Sequence, residues 1–372
     1  MLTIGITGSK GFIGTHLFNT LSLHPNQYRL IEINREEWAD SDVLFQLVNQ
    51  CDVVFHLSGV NRNERSDFIY NENIRLASLL LDALYKVSHP VRLIFSSSLQ
   101  ESNGSVYGNG KKEARKMFEK WSIETKNNFF GILIPNVFGP FGKPFYNSFI
   151  ATFCHQINQG EQPVVVTDAD VPLIYVADLV DEMIGLIEHK EGASFHEIKP
   201  KIVVKVTEVL SKLLVFKHDY LQQGKIPVFP DQFTVQLFNT FRSYIDYGST
   251  FPKKYICHSD ARGSFVELVR LGTGGQISFS TTHPGMTRGN HFHTRKIERF
   301  AVIKGKARVE LRRYGHHDIS SFNLDSDSPS FIDIPVWYHH NITNVGQDIL
   351  YTIFWISEQY DPNDTDTYFE SN

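Results

Sequence analysis

The sequence predicts a doubly wound parallel α/β sheet followed by an all-β barrel. Three observations predict it. The first half alternates apolar strand-like runs with helical patterns, as a parallel sheet with crossover helices requires. A glycine-rich turn, Thr7–Gly14, follows the first run and opens a helix. From about Tyr255 the rhythm changes to short strand-like runs punctuated by Gly, Pro, Asn and Asp, the pattern of an antiparallel sandwich or barrel.

The elements follow in order. Leu2–Ile6 is a strand, Phe12–Leu23 a helix with its apolar residues on one face, and Tyr28–Ile33 the second strand. Asp52–Leu57 reads DVVFHL, a run of the kind buried on both faces. Asn71–Val87 is a helix, Val91–Phe95 a strand, Lys111–Lys126 a helix and Phe130–Ile134 a strand. In the second half, Val266–Leu271, Gln276–Thr282, Arg299–Ile303, Lys306–Leu311, Ser330–Ile334 and Ile349–Trp355 are strands.

A chain of 372 residues calls for two domains. Residues 246–254, with Gly248, Pro252 and two lysines, read as a linker between a domain of residues 1–245 and one of residues 255–372. The net charge of -5 argues against the basic face of a nucleic-acid binder. Cys51, Cys154 and Cys257 are too scattered for a disulfide framework or a zinc-type Cys spacing. The N-terminus has no signal-peptide pattern, and no run approaches the roughly 18 apolar residues of a membrane span. A cytoplasmic protein is expected, with no membrane insertion.

In the turn Thr7-Gly8-Ser9-Lys10-Gly11-Phe12-Ile13-Gly14, Gly8 permits the tight bend, Gly11 lets the backbone approach a pyrophosphate, and Gly14 allows close helix–strand packing. The helix N-terminus adds amide donors and a positive dipole. This is the dinucleotide-binding pattern of the Rossmann fold. The second strand ends in Glu32-Ile33-Asn34-Arg35; Asn34 and Arg35 at the tip favour the 2′-phosphate of NADP, with Glu32 deeper in the strand. Tyr107 and Lys111, four apart at a helix start, share one face, where the ammonium can lower the phenol pKa. With a hydroxyl from Ser96-Ser97-Ser98, they are equipped to deliver a proton as hydride reaches a carbonyl.

Residues 1 to about 245 resemble the extended short-chain dehydrogenase/reductases that act on nucleotide sugars. The matching pieces are Thr7–Gly14, Asp52–Gly59 (with Leu57, Ser58 and Gly59), Asn73, Ser96–Ser98, Tyr107/Lys111, Pro135–Pro140 with Asn136, and Ile174–Leu179. The resemblance implies Tyr107 as acid, Lys111 as its partner and a ribose contact, and Ser98 as third member, with Ser97 the alternative. The chain departs from the pattern in the short Ser98–Tyr107 spacing. It also lacks an arginine before the Pro-Asn segment, which leaves the substrate phosphate unassigned.

In the second half, Gly285-x5-His291-x-His293-x4-Glu298-x6-Gly305 is the most specific pattern of the chain, and Pro335-x-Trp337-x2-His340-x3-Asn344 adds another imidazole. Three histidines and a carboxylate suit zinc or another divalent first-row metal. His316, His317 and His339 read as surface residues, and His283 as a neighbour of the set. The spacings match the two cupin motifs, except that Trp337 stands where glycine is usual. Asp260–Glu267 and Arg288–His291 also resemble cupin-type 3,5-epimerases of 4-keto-6-deoxy sugar nucleotides, which implies phosphate contacts from Arg262 and Arg288. In that family a base stands at the position of His291. With His291 read as a ligand, Lys296, Tyr338 and a metal-bound hydroxide remain as candidates.

The order of reductase then cupin resembles the bifunctional capsular polysaccharide synthesis enzymes of the UDP-N-acetyl-L-fucosamine pathway, from Met1 to the closing Tyr360–Asn363 and Asp366–Tyr368. That includes Lys143–Ser148, with Asn147. The resemblance implies a UDP-2-acetamido-2,6-dideoxy-4-hexulose substrate, NADPH, a divalent metal (zinc by its ligands) and a homodimer. It implies C3 epimerisation in the cupin and C4 reduction in the N-terminal domain. The rival expectations are a single-activity reductase with a structural or dimerising cupin, and a silent NADP-binding sensor.

Overall fold

In the computed structural model, residues 1–189, 195–255, 257–260, 263–266, 269–271, 275–358 and 361–369 are described. The chain divides into two compact units, Met1–Thr152 with Val165–Glu208, and Phe153–Val164 with Val209–Asn372.

The first unit is built on a six-stranded parallel sheet. Its strands are β1 (Leu2–Thr7), β2 (Tyr28–Ile33), β3 (Val53–His56), β4 (Arg92–Ser98), β5 (Phe129–Ile134) and Phe195–Glu197, in the order β2-β1-β3-β4-β5 and then Phe195–Glu197. Successive side chains of a strand point to opposite faces, so each strand serves two cores. Val54, Leu93, Phe95 and Phe129 pack with Leu44, Leu76, Leu80 and Phe118. Val53, Phe55, Ile94 and Phe130 pack with Leu17, Leu21, Leu179 and Met183. The helices that supply these residues include α1 (Phe12–Ser22), α2 (Ser41–Val48), α3 (Ser66–Leu84) and α4 (Val106–Thr125). A small second sheet joins Asn136–Phe138, Asp170–Tyr175 and Ile202–Lys205.

Among the boundaries that differ from the sequence expectation, two have a clear physical reason. β4 runs on through Ser96–Ser98, because parallel pairing with Ile132–Ile134 outweighs the low strand preference of serine. α4 begins at Val106, since the Ser105 hydroxyl accepts the Gly108 N–H and caps it there. Residues 246–254 carry a helical turn, Tyr247–Thr250, and a strand, Lys253–Lys254, paired with Ser330 and Phe331.

The second unit holds two five-stranded antiparallel sheets. One runs Lys253–Lys254, Ser330–Ile334, Glu298–Lys304, Leu350–Ile356, Gln276–Thr282; the other runs Ile319–Asp325, Lys306–Arg313, Tyr338–Asn344, Thr287–Phe292, Tyr368–Phe369. The expected fold class, a Rossmann-type parallel sheet followed by an all-β cupin-type domain, is borne out. The helical segment Lys217–Gln222 of the same unit is tied to the sheet that holds Glu298–Lys304 and Ser330–Ile334 through a buried ion pair. Arg299 donates to both carboxylate oxygens of Asp333 at 2.7 and 3.0 Å, and the Tyr220 hydroxyl donates to the same group. Among the described residues, no helix is long and apolar enough to cross a membrane.

Candidate active site and metal centre

The first site forms where β1 gives way to α1. Gly8 adopts φ +72°, and a Cβ on Gly14 would lie 2.0 Å from the Gly8 carbonyl oxygen, so the turn tolerates no side chain there. The first turn of α1 has no acidic residue, and its cap residue Gly11 offers no side-chain acceptor. The N–H groups of that turn are thus left for an anion. Thr7, fully buried, accepts hydrogen bonds from the N–H of Leu57 and Ser58 and joins the His56 ring, tying the tips of β1 and β3 together.

A cavity of about 610 Å³ opens here. Its lining includes Gly8, Lys10, Gly11, Phe12, Ile13, Gly14, Leu57 and Gly59, and with them Ser98, Tyr107, Lys111, Asn136 and Asn147. The glycine turn and the Ser–Tyr–Lys set, far apart in sequence, therefore share one space. Among the described residues, Asn34, Arg35, Ser58 and Asn73 lie outside that lining. Asn73 works from behind: its amide donates to the Val60 and Ile69 carbonyls, both at 2.7 Å, and pins the loop after β3. A Cβ on Gly59 would lie 2.7 Å from Asn73 Oδ1 and 2.9 Å from Lys111 Nζ, so glycine leaves room for both.

Burial dominates the electrostatics. It pushes the Tyr107 phenol up to about 12, with Tyr146 adding to the rise. It pulls the Lys111 ammonium down to about 8, with Glu101 opposing. The lowered phenol expected from the Tyr–Lys spacing is thus absent: burial sets the direction, and the Lys111 ammonium lies 6.0 Å from the tyrosine ring centre. Glu32 also differs from expectation. It is exposed rather than sunk in the strand, and the Ser9 hydroxyl donates to its carboxylate at 2.7 Å.

Glu101, Arg115, Gln100 and Arg62 are partners that the sequence motifs do not single out. Ser97 donates to the Glu101 carboxylate, to which Arg115 also donates. The Ser98 hydroxyl accepts the Gln100 N–H. Lys143 and Tyr146 line the cavity beside Asn147, and Arg62 donates to the Phe145 and Tyr146 carbonyls, holding that loop.

The second site lies between the two sheets of the C-terminal unit. His291 lies next to the end of the strand Thr287–Phe292, His293 stands just past it, Glu298 opens the next strand, and His340 lies on Tyr338–Asn344. One ligand-type atom from each of the four falls within 4.8 Å of all the others. His293 Nε2 and His340 Nε2 are 3.2 and 3.1 Å from the same Glu298 oxygen. These three atoms are buried and none has a hydrogen-bond partner. The other ring nitrogens are taken: His293 Nδ1 meets the Asp366 carbonyl, and His340 Nδ1 the Tyr338 carbonyl. Imidazoles held through Nδ1, with Nε2 converging on a carboxylate, are a donor set that could hold a divalent metal. Burial would raise the Glu298 carboxyl, but His293 and His340 hold it well below the usual carboxylate range. His291 is pulled down to about 4 by burial and by the two neighbouring imidazoles. Ionised carboxylate and neutral imidazole are the forms that bind metal.

Trp337 sits at φ +61°, which explains why glycine suits that position; burial against Phe292, at 5.5 Å, accompanies the unusual backbone. Its N–H donates to the His293 carbonyl. His339, expected at the surface, is instead buried beside Phe292 and Tyr314. The Lys296 ammonium donates to the Thr365 carbonyl, and the Tyr338 ring lies 6.0 Å from Tyr247. Arg288 donates to the Thr281 carbonyl, while Arg262 lies outside the described residues.

Residues 4–199, more than half of the chain, match the NAD dependent epimerase/dehydratase family. The chain belongs to that family. Its residues 258–368 match the polysaccharide biosynthesis C-terminal domain. The UDP-2-acetamido-2,6-beta-L-arabino-hexul-4-ose reductase of Pseudomonas aeruginosa is 30% identical over 366 residues, 98% of this chain and 97% of its own. The spore coat polysaccharide biosynthesis protein SpsL of Bacillus subtilis is 30% identical over 126 residues, 31% of this chain and 82% of its own. Among solved structures, the capsular polysaccharide assembling protein CapF from Staphylococcus aureus is 31% identical with a TM-score of 0.63, all of each chain being covered. This member of the epimerase/dehydratase family thus bears out the resemblance to capsular polysaccharide enzymes read from its motifs.

Proposed function

We propose that the chain is a bifunctional NADPH-dependent enzyme of nucleotide-sugar metabolism. Its C-terminal unit epimerises C3 of a UDP-2-acetamido-2,6-dideoxy-4-hexulose, and its N-terminal unit reduces the C4 ketone. One observation carries the reductase half: the glycine turn and Ser98, Tyr107 and Lys111 line one cavity. A reduced nicotinamide dinucleotide, its pyrophosphate held at the turn, would supply the hydride. Tyr107, a phenol kept protonated by burial, donates its proton to the C4 oxygen as the ketone becomes an alcohol. Ser98 orients that oxygen, and Lys111 holds the cofactor ribose. NADPH rather than NADH fits because Ser9 engages Glu32 while Arg35 stays exposed.

For the epimerase half, the C4 ketone acidifies the C3 proton. A divalent cation, zinc by its ligands, held by His291, His293, Glu298 and His340, supplies Lewis acidity toward the sugar's oxygens. Arg288 and Arg262 remain the candidates to grip the diphosphate, and Lys296 or Tyr338 the base. Reduction of C4 then removes the acidifying carbonyl and locks the new C3 configuration. The homodimer and the cytoplasmic setting belong to the same proposal; the buried free thiols Cys51 and Cys154 suit a reducing compartment.

The test is NADPH oxidation with that UDP-4-keto sugar in D2O, with the product resolved by NMR. Deuterium at C3 beside a reduced C4 is the expected result. Reduction without C3 deuterium leaves a reductase alone, and no oxidation sinks the proposal.

A further inference from the structure

The turn that separates His293 from Glu298 is held by a chain segment some 70 residues downstream. Asp366 makes most of that contact. Its carboxylate accepts hydrogen bonds from the N–H groups of Thr294, Arg295 and Lys296, at 3.0, 3.1 and 3.0 Å, and from the Thr294 hydroxyl at 2.6 Å. Its carbonyl meets His293 Nδ1. Around it, Arg295 pairs with Asp364 at 2.7 Å, and Tyr368 and Phe369 pair with Phe292 and His291 as an added strand. Asp366 is buried and sits at φ +41°, a left-handed conformation that Asp adopts more readily than most residues. Its carbonyl and its carboxylate both meet residues 293–296.

The four ligand-type residues do not need this help equally. Glu298 and His340 lie on paired strands, and His340 is oriented by a carbonyl of its own strand. His293 lies beyond the last residue of its strand, Phe292. An imidazole there keeps its ring angle only if something outside the strand fixes it. A ring whose Nδ1–H is donated to a carbonyl presents Nε2 as a lone pair, and such outer partners set both tautomer and aim.

We propose that Asp366 is a positioning residue of the metal centre, its carbonyl fixing the His293 ring and its carboxylate fixing the turn that leads on to Glu298. The C-terminal segment is thereby part of the site rather than a tail packed beside it. This rests on the reading of the four-residue cluster as a metal centre. A purely structural tail would set stability but leave metal affinity alone.

The experiment is a competition titration of Zn2+ between the full chain and a chromophoric chelator, run on wild type, Asp366→Asn and Thr294→Val. The asparagine turns an NH2 toward N–H groups that need an acceptor, and the valine removes only the hydroxyl bond. Wild type is expected to bind one Zn2+ per chain, Asp366→Asn about 10–100-fold more weakly, and Thr294→Val more weakly by a smaller factor. Equal affinities in all three proteins overturn the proposal. A wild type that takes up no Zn2+ instead overturns the metal reading beneath it. Should circular dichroism find Asp366→Asn unfolded, Thr294→Val decides alone: weakened binding supports the proposal, and unchanged binding overturns it.

Discussion

Arg115 grips Glu101 with two parallel hydrogen bonds, Nε to Oε1 and Nη2 to Oε2, each 3.0 Å long. Ser97 donates to the same carboxylate. Tyr107, Lys111 and Arg115 follow one another at four-residue intervals on α4 and so share one helix face. The pair thus continues the Tyr–Lys arrangement by one more turn, and Glu101 lends it a negative charge.

That charge predicts a pH effect. Burial lowers Lys111 to about 8 and Glu101 opposes the lowering. Ketone reduction should therefore fall as pH rises through about 8, where the ammonium is lost. Removing the carboxylate in Glu101→Gln takes away the opposing influence, so the alkaline limb should move to lower pH. Rate against pH for the two proteins checks this; coincident limbs would mean that Glu101 does not act on Lys111.

Cofactor choice should depend on Arg35. With Ser9 engaging Glu32, Arg35 is the exposed cation at the tip of β2. A hydrogen bond to a charged group is worth about 1.5–3 kcal/mol. Arg35→Ala should then lower the ratio of kcat/KM for NADPH over NADH by roughly 10–100-fold, with activity on NADH nearly unchanged.

We expect Lys143 to meet the substrate phosphate, the contact that the motifs left unassigned. It lines the cavity beside Tyr146 and Asn147. Lys143→Ala should raise KM for the UDP-sugar about tenfold, the loss of about 1.5 kcal/mol, and change kcat little, as for uniform binding. Steady-state kinetics with saturating NADPH provide the check, and an unchanged KM would place the diphosphate elsewhere.

The Arg299–Asp333 pair should matter for stability. Burial would raise the Asp333 carboxyl, but Arg299, Arg242 and Tyr220 outweigh it and hold the group below its usual range. Asp333→Ala leaves buried cations uncompensated and should cost about 3–5 kcal/mol in urea unfolding at pH 7. A depressed folded pKa stabilises fully above the ordinary carboxyl value of about 3.9. That contribution is lost as pH falls through the lower folded value. The advantage of wild type over Asp333→Asn should therefore shrink below about pH 4.

Local pattern carried much of the fold. The apolar runs of β1, β3 and β5 stand within a residue of their expected places, because a strand buried on both faces must be apolar throughout. The strands Ile319–Asp325 and Tyr338–Asn344 are not apparent in the sequence. Polar and charged residues interrupt them, and the second carries His340 of the His–Glu cluster. Arg115 could have been found from its place eight residues after Tyr107 on one helix face. Its partner Glu101 could not, since a short loop with its own helical turn delivers it.

The sequence alone determined the order of the two folds and the residue types of both sites. Glycine spacing, the Tyr–Lys interval and the His-x-His pattern are imposed by geometry over one or two turns of chain. Only the tertiary structure decided what burial does to those groups: a raised Tyr107, a lowered Lys111 and an ionised Glu298 between two imidazoles. It alone also brought Asp366 to His293 and Ser9 to Glu32. Desolvation and hydrogen bonding depend on which atoms exclude water around a group. Those atoms come from segments tens of residues apart, which no local pattern records.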